Sequence, residues 1–303
     1  MRIVKILFLM LIVAETVAQQ DPTYTQYAFN MQSLNPGFVG SRETVSVTML
    51  SRWQWTGING APRTQTITAQ SLIPRTRFGV GFSLTKDKIG PLSQTQPYID
   101  LSYHLPVSRE GKLSFGIKSG LSVYNSKVGD LLTKSGDPIQ NNAIQNIVSV
   151  NFGVGIFYYL PNMYVGISIP KLHKSNLNEI TGTQYAEQAR HLFTIFSCTL
   201  DMTPTVRFKP SVVIKDVESA PFEFDFTTSF LFYDRFSIGG TYRTGDGIGV
   251  LLQLEATKQL RVGYAYDYPF SRISEGIENL SQATHELMLS IEFKFKDVTR
   301  KNK

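Results

Sequence analysis

Apolar and polar residues alternate along most of the chain. Phe78, Val80, Phe82 and Leu84 interleave with Gly79, Gly81, Ser83 and Thr85. Leu113, Phe115 and Ile117 oppose Ser114, Gly116 and Lys118, and Val150, Phe152, Val154, Ile156 and Tyr158 run mostly against Asn151, Gly153 and Gly155. The pattern recurs in Phe222, Phe224 and Phe226, in Ile248, Val250, Leu252 and Leu254, in Leu260, Val262, Tyr264 and Tyr266, and in Leu287, Leu289, Ile291, Phe293 and Phe295. Successive side chains of a strand point to opposite faces of its sheet, so each run predicts a strand with one apolar and one polar face.

A soluble sandwich alternates too, so run length and connection length must decide. The runs extend over about nine to thirteen residues, against about five or six in soluble strands and about 9–11 for a tilted membrane strand. They begin near Thr44, Gln65, Arg77, Gln96, Lys112, Val148, Asn162, Arg190, Thr205, Pro221, Phe236, Gly247, Leu260 and Thr284. That makes about fourteen, an even number as in single-chain bacterial barrels. Connections at 160–162, 201–204, 234–235 and 258–259 are short; those at 53–63, 125–147, 171–189 and 269–283 are long. Strict alternation of this kind predicts short periplasmic turns and long extracellular loops. The expected fold is therefore all-β, a transmembrane antiparallel β-barrel over residues 44–296, with 297–303 as a C-terminal tail.

Charge fits the polar face. Lys118, Lys209, Glu223, Asp225, Arg243, Glu255, Arg261, Asp267 and Glu292 all fall opposite the apolar stripe. A dry soluble core tolerates that many ionisable groups poorly, whereas a barrel lumen lined by paired charges accepts them. Tyr103, Phe115, Tyr158, Phe222, Phe232, Tyr242, Tyr266 and Tyr268 lie on the outer face, several near strand ends, as interface girdles do. Any one of them alone reads equally well as ordinary apolar packing.

The N-terminus adds a destination. Arg2 and Lys5 precede an apolar run, 6–14, and Thr16-Val17-Ala18 ends on a small residue. This predicts a Sec signal peptide, 1–18, cleaved after Ala18; the apolar run is too short for the roughly 20 residues of a membrane anchor. Residues 19–43 then form an N-terminal periplasmic or plug segment. Tyr24, Tyr27, Phe29, Met31, Leu34 and Phe38 are too many apolar groups for a free polar tail, and Pro22, Pro36, Gly37 and Gly40 argue against a long helix. The segment is expected to start on the periplasmic side and pack across that mouth or into the lumen, where Gly79, Gly81, Gly153 and Gly155 leave room. The alternative is an ordered clasp outside the barrel.

Composition excludes other classes. Charged residues are 18% and the net charge is +6, without a cluster that would serve nucleic acid. Cys198 is the sole cysteine, which excludes an intrachain disulfide and a multi-cysteine metal site. His104, His173, His191 and His285 lie far apart, with no metal-ligand spacing. Gly79-Val80-Gly81 and Gly153-Val154-Gly155 fall inside strand patterns with no following helix, so neither predicts a dinucleotide loop. Glu223 and Asp225 share a face but read as lumen charges, since no third group converges on them. No catalytic, cofactor-binding or metal-ligating residue is assigned, and no cofactor is expected. Trp53 and Trp55, at the start of the first long connection, are candidates for interfacial anchoring or for partner contact.

Several stretches carry a family resemblance. QDPTYTQYAFNMQSLNPGFVGS (20–41), RWQWTGINGAPRTQT (52–66), VGFSLTKDKIGP (80–91), VGYAYDYPFSRI (262–273) and THELMLSIEF (284–293) resemble the PorP/SprF outer-membrane proteins of the Bacteroidota type IX secretion system. SFGIKSGL (114–121), NFGVGIFYYLPNMYVGISIPKL (151–172) and PSVVIKDVESAPFEFDF (210–226) resemble that family's middle motifs. The resemblance implies a non-enzymatic barrel of the secretion or gliding machinery. It would sit in outer-membrane lipid and support export or surface attachment of cargo or adhesins bearing a C-terminal sorting domain. It also implies a periplasmic peptidoglycan-binding partner. The alternative from a different class is a passive, porin-like channel for small solutes.

Overall fold

The computed structural model describes residues 23–126, 147–173, 190–217, 221–270 and 283–294. The expected signal peptide, most of the connections at 125–147, 171–189 and 269–283, and the tail 297–303 lie outside the described residues. The strands are β1 (Thr44–Trp53), β2 (Arg63–Leu72), β3 (Phe78–Ile89), β4 (Leu92–Pro106), β5 (Lys112–Ser126), β6 (Ile147–Tyr159), β7 (Met163–Ile169), β8 (His191–Cys198), β9 (Leu200–Thr203), β10 (Val206–Val217), β11 (Glu223–Phe232), β12 (Phe236–Arg243), β13 (Gly247–Glu255), β14 (Leu260–Pro269) and β15 (Thr284–Lys294). Each pairs antiparallel with its chain neighbours, β1 pairs β15, and β10 pairs β11, so the sheet closes on itself.

β8 and β9 are two pieces of one barrel strand, both running against β10. Their break falls opposite Pro210, which has no N–H to give the ladder. Counting them as one, the described residues form a fourteen-stranded barrel. Pro97 acts similarly in β4: it pairs with Leu84 on β3, while the ladder to β5 skips from Thr95 to Tyr98. Closure leaves no free sheet edge, the condition for strands in lipid. No helix among the described residues is long and apolar enough to cross a membrane; the strands make the crossing.

The alternation sets the facing. Phe78, Ile99, Ile117, Phe152 and Val250 are half or more exposed on the outer face, while their neighbours Asp100, Ser102 and Asn151 are buried inside. In water that apolar belt would be a large aggregation surface; in a bilayer it meets acyl chains.

One end of the barrel carries only short turns, at 73–77, 107–111, 160–162, 204–205, 233–235 and 256–259. The expected turn at 201–204 is corrected: 201–203 continue the strand, and the turn itself is Pro204 and Thr205. The other end is mixed. Residues 54–62 make a longer connection, but 90–91 and 244–246 are tight turns, so the alternation of long and short is not strict. Glycine at 90 and 245 supplies the positive φ those two turns need. By barrel convention the short-turn end is periplasmic.

Candidate functional site in the lumen

The described residues before β1 lie inside the ring. They fold as three short pieces: a 3₁₀ turn at Tyr27–Phe29, one α-helical turn at Met31–Leu34, and a second 3₁₀ turn at Pro36–Phe38. Pro36 takes the first position of its turn, and the Asn35 side chain accepts from Gly37 N at 2.8 Å. Tyr24, Tyr27, Met31, Leu34 and Phe38 are buried against inward-facing Leu50, Phe157, Phe193, Ile195 and Val213. Phe38 meets Phe157 edge-on, with centroids 5.5 Å apart.

Hydrogen bonds tie this segment to strands around most of the ring. Near the short-turn end, Val39 O accepts from Ser102 Oγ at 2.5 Å and lies 2.8 Å from His104 Nε2. Asn35 Nδ2 donates to Ile156 O, and Ser168 Oγ donates to Leu34 O. At mid-barrel, Gln32 Nε2 donates to Asp100 at 2.9 Å while Lys118 Nζ donates to Gln32 O at 3.0 Å. Near the far end, Glu286 accepts from Thr25 N at 2.9 Å and Gln26 N at 2.8 Å, Arg243 donates to Tyr24 O, and Tyr24 Oη bonds Thr66 Oγ1. The segment therefore runs the length of the lumen. Only its last residues lie at the short-turn end; Tyr24 to Gln26 sit toward the opposite mouth, contrary to a start on the periplasmic side.

Inner glycines make the space. A Cβ at Gly116 would lie 2.2 Å from Gly37 N, one at Gly79 would lie 2.4 Å from Val39 O, and one at Gly155 would lie 2.1 Å from Asn35 Oδ1. Gly81 faces Gln32 and Val39, and Gly263 faces Gln26. Gly153 departs from expectation: its open side meets the carbonyl of Pro170, just past β7, rather than the segment.

Most of the lumen charges are paired, and register does much of the pairing. Arg52 stands opposite Glu286, Asp100 opposite Lys118, Lys215 opposite Glu223, Asp225 opposite Arg243, and Glu255 opposite Arg261. The side chains meet at 3.1, 3.4, 3.1, 2.8 and 2.7 Å respectively. Arg52 also reaches Asp267 at 2.8 Å and Thr25 Oγ1 at 2.8 Å. Glu223 and Asp225 thus each serve a separate cation. Arg52, Asp100 and Glu286 are further lumen charges, legible from the polar-face parity of β1, β4 and β15; Arg42 precedes β1 and has no such signal. Among the described residues no group of three or more His, Cys, Asp or Glu is placed to hold a metal ion.

Trp53 ends β1, opposite Arg63 and His285. Trp55 has φ 48 and lines a small hollow with Arg52, Arg243 and Asp267 at the long-connection mouth. A larger chamber of about 430 Å³ lies between the segment and the inner faces of β8 and β10 to β14.

Comparison with known proteins adds the family. The profile described as type IX secretion system membrane protein PorP/SprF matches residues 16–291. No curated protein matches the chain significantly. Among solved structures, a mutant of the TodX monoaromatic hydrocarbon channel is 8% identical at TM-score 0.49, over 88% of this chain and 94% of that one. The KdgM porin is 10% identical at TM-score 0.38, over 82% and 99%. CdiB from Acinetobacter baumannii is 7% identical at TM-score 0.44, over 82% of this chain and only 60% of that one.

Proposed function

We propose, for a chain that belongs to the PorP/SprF family of type IX secretion system membrane proteins, that this outer-membrane barrel is a closed, non-enzymatic support for exported cargo. It holds or helps export surface proteins and adhesins with a C-terminal sorting domain, in secretion or in gliding. The long-connection face, with Trp53 and Trp55 at its rim, receives the cargo. The short-turn face meets a periplasmic peptidoglycan-binding protein. Residues 1–18 act as a Sec signal peptide, so mass spectrometry of the barrel from its own outer membrane should find Gln19 as the first residue.

The observation that carries this reading is the occupied lumen. A passive channel needs a continuous aqueous path, and here residues 24–40 cross the bore while bonded to strands on several sides of it. The test is purification of the native barrel with its neighbours, together with removal of the protein from its host. Proteins bearing a C-terminal sorting domain should co-purify, and at least one should disappear from the cell surface in the deletion strain. A barrel that co-purifies with none, leaves the surface proteins unchanged and conducts steadily in planar bilayers would be a passive channel instead.

A further inference from the structure

The helical turns at 31–38 pack on the β3 to β7 side of the bore and leave a chamber on the other. At its inner end the chamber stops at Thr25, Gln26 and Tyr27. Its lining reaches Arg235, exposed in the turn at 233–235, so it opens at the short-turn mouth. Along the walls, Ser211, Thr227, Ser229 and Ser237 alternate with apolar Val213, Leu231 and Leu251.

Its charges do not balance. Four cations line it, Arg42, Lys209, Arg235 and Arg261, against two carboxylates, Glu255 and Glu292. Both acids are already taken. Arg261 donates twice to Glu255, at 2.7 and 3.2 Å, and Glu292 lies between Arg42 at 2.5 Å and Arg261 at 3.6 Å. Lys209 and Arg235 have no ion pair among the described residues. The charges around Lys209 are mostly of its own sign, with Arg207, Arg261 and Arg42 against Glu255. A narrow hollow with low-dielectric walls focuses such an excess, and an incoming anion relieves it. An arginine fork and a lysine ammonium suit a carboxylate, and the mixed hydroxyl and apolar walls suit an amphipathic stem behind it.

We infer that this chamber is a carboxylate-binding site open to the periplasm, with Lys209 and Arg235 as its free cations. Its ligand is either a small organic acid or the acidic end of a peptide chain, which present the same group. The inference stands whether or not the barrel carries cargo.

Calorimetric titration of the full mature barrel in non-ionic detergent tests it. The probes are citrate, the peptide Ala-Glu-Glu with a free C-terminus, and amidated Ala-Gln-Gln as the neutral control. At least one acidic probe should bind, more weakly as salt rises. The double variant Lys209→Gln with Arg235→Gln should weaken binding by about tenfold or more. Lys209→Arg should retain it, and so should Arg109→Gln, which removes a short-turn cation outside the chamber. Heat-modified mobility on gels confirms that each variant is folded. Binding of citrate alone names a small acid as the source, and binding of the peptide names a chain end. No binding of either acidic probe, equal binding by the double variant, or equal binding of the neutral peptide overturns the site.

Discussion

Replacing Gly116 by Val should open the barrel. The new Cβ would sit 2.2 Å from both Gly37 N and Pro36 C and 2.5 Å from Pro36 O. These are backbone atoms, so no flexible side-chain end is there to swing aside. The β5 wall is fixed by ladders to β4 and β6, and the segment is the part that must leave. Leaving exposes Phe38, worth about 2 kcal/mol of burial. It also breaks the Ser102 and His104 contacts to Val39 O and the Asn35 bond to Ile156 O, each about 1 kcal/mol. Together these keep the displaced state about 5 kcal/mol above the closed one in the parent, more than three powers of ten in population, and the backbone overlap removes that preference. Single-channel recording in planar bilayers reads it: closed for the parent, discrete openings for the variant, with both still heat-modifiable on gels. Gly240→Ala is the control, because its Cβ meets only Gly249 O at 3.7 Å. A folded Gly116→Val barrel as silent as the parent, or a parent already conducting at the variant's level, would refute the argument.

Facing gives a second expectation. Leu252 is on the outer face, so Leu252→Arg should cost about 2–4 kcal/mol of folding stability in lipid. Gln253→Arg, one residue on and lining the chamber, should cost much less, and equal shifts in urea midpoint would contradict the register. A third concerns the buried acid at the segment's far end. Arg52→Gln leaves Glu286, fully buried, without its opposite cation, and should cost about 3–5 kcal/mol. Adding Glu286→Gln should recover much of that loss; a double variant as unstable as the sum of both singles would mean that the pair is not coupled.

How much was legible follows from what each feature depends on. Strand positions depend on a period of two, which sequence displays directly, and the strands start within a few residues of expectation. The turn at 201–204 was misplaced because Asp201 and Thr203 read as turn residues, while pairing with Arg207 and Val206 keeps them in the strand. Which residues are lumen charges was mostly visible as polar-face parity. Which charge meets which was not: Asp225 finds Arg243, and Arg52 finds Glu286, only once cross-strand register is fixed. Glycine illustrates both sides. Gly79, Gly81 and Gly155 stand out as inward gaps in otherwise bulky strands and do face the segment, but Gly116 is equally essential to the fit, and Gly153 accommodates Pro170 just past β7.

The path of the segment had no sequence signal because it depends on how far the chain is shortened. From Tyr24 to Gly40 an extended chain at about 3.3 Å per residue would far exceed β1, whose ten residues measure about 33 Å along the strand. Three helical turns at about 1.5–2 Å per residue shorten it. They also change which walls it reaches. An extended segment presents two opposite faces, whereas helical turns spread side chains around the axis. That is how one short stretch places Gln32 against Asp100 on β4 and Asn35 against β6, while Tyr27 faces the chamber. Much of the attachment is to main-chain groups: Tyr24 O, Gln32 O, Leu34 O and Val39 O accept from the barrel, and Thr25 N and Gln26 N donate to it. A pattern read from side chains alone does not register contacts of that kind, so a lumenal segment can be expected from sequence while its direction and partners emerge only when the barrel closes around it.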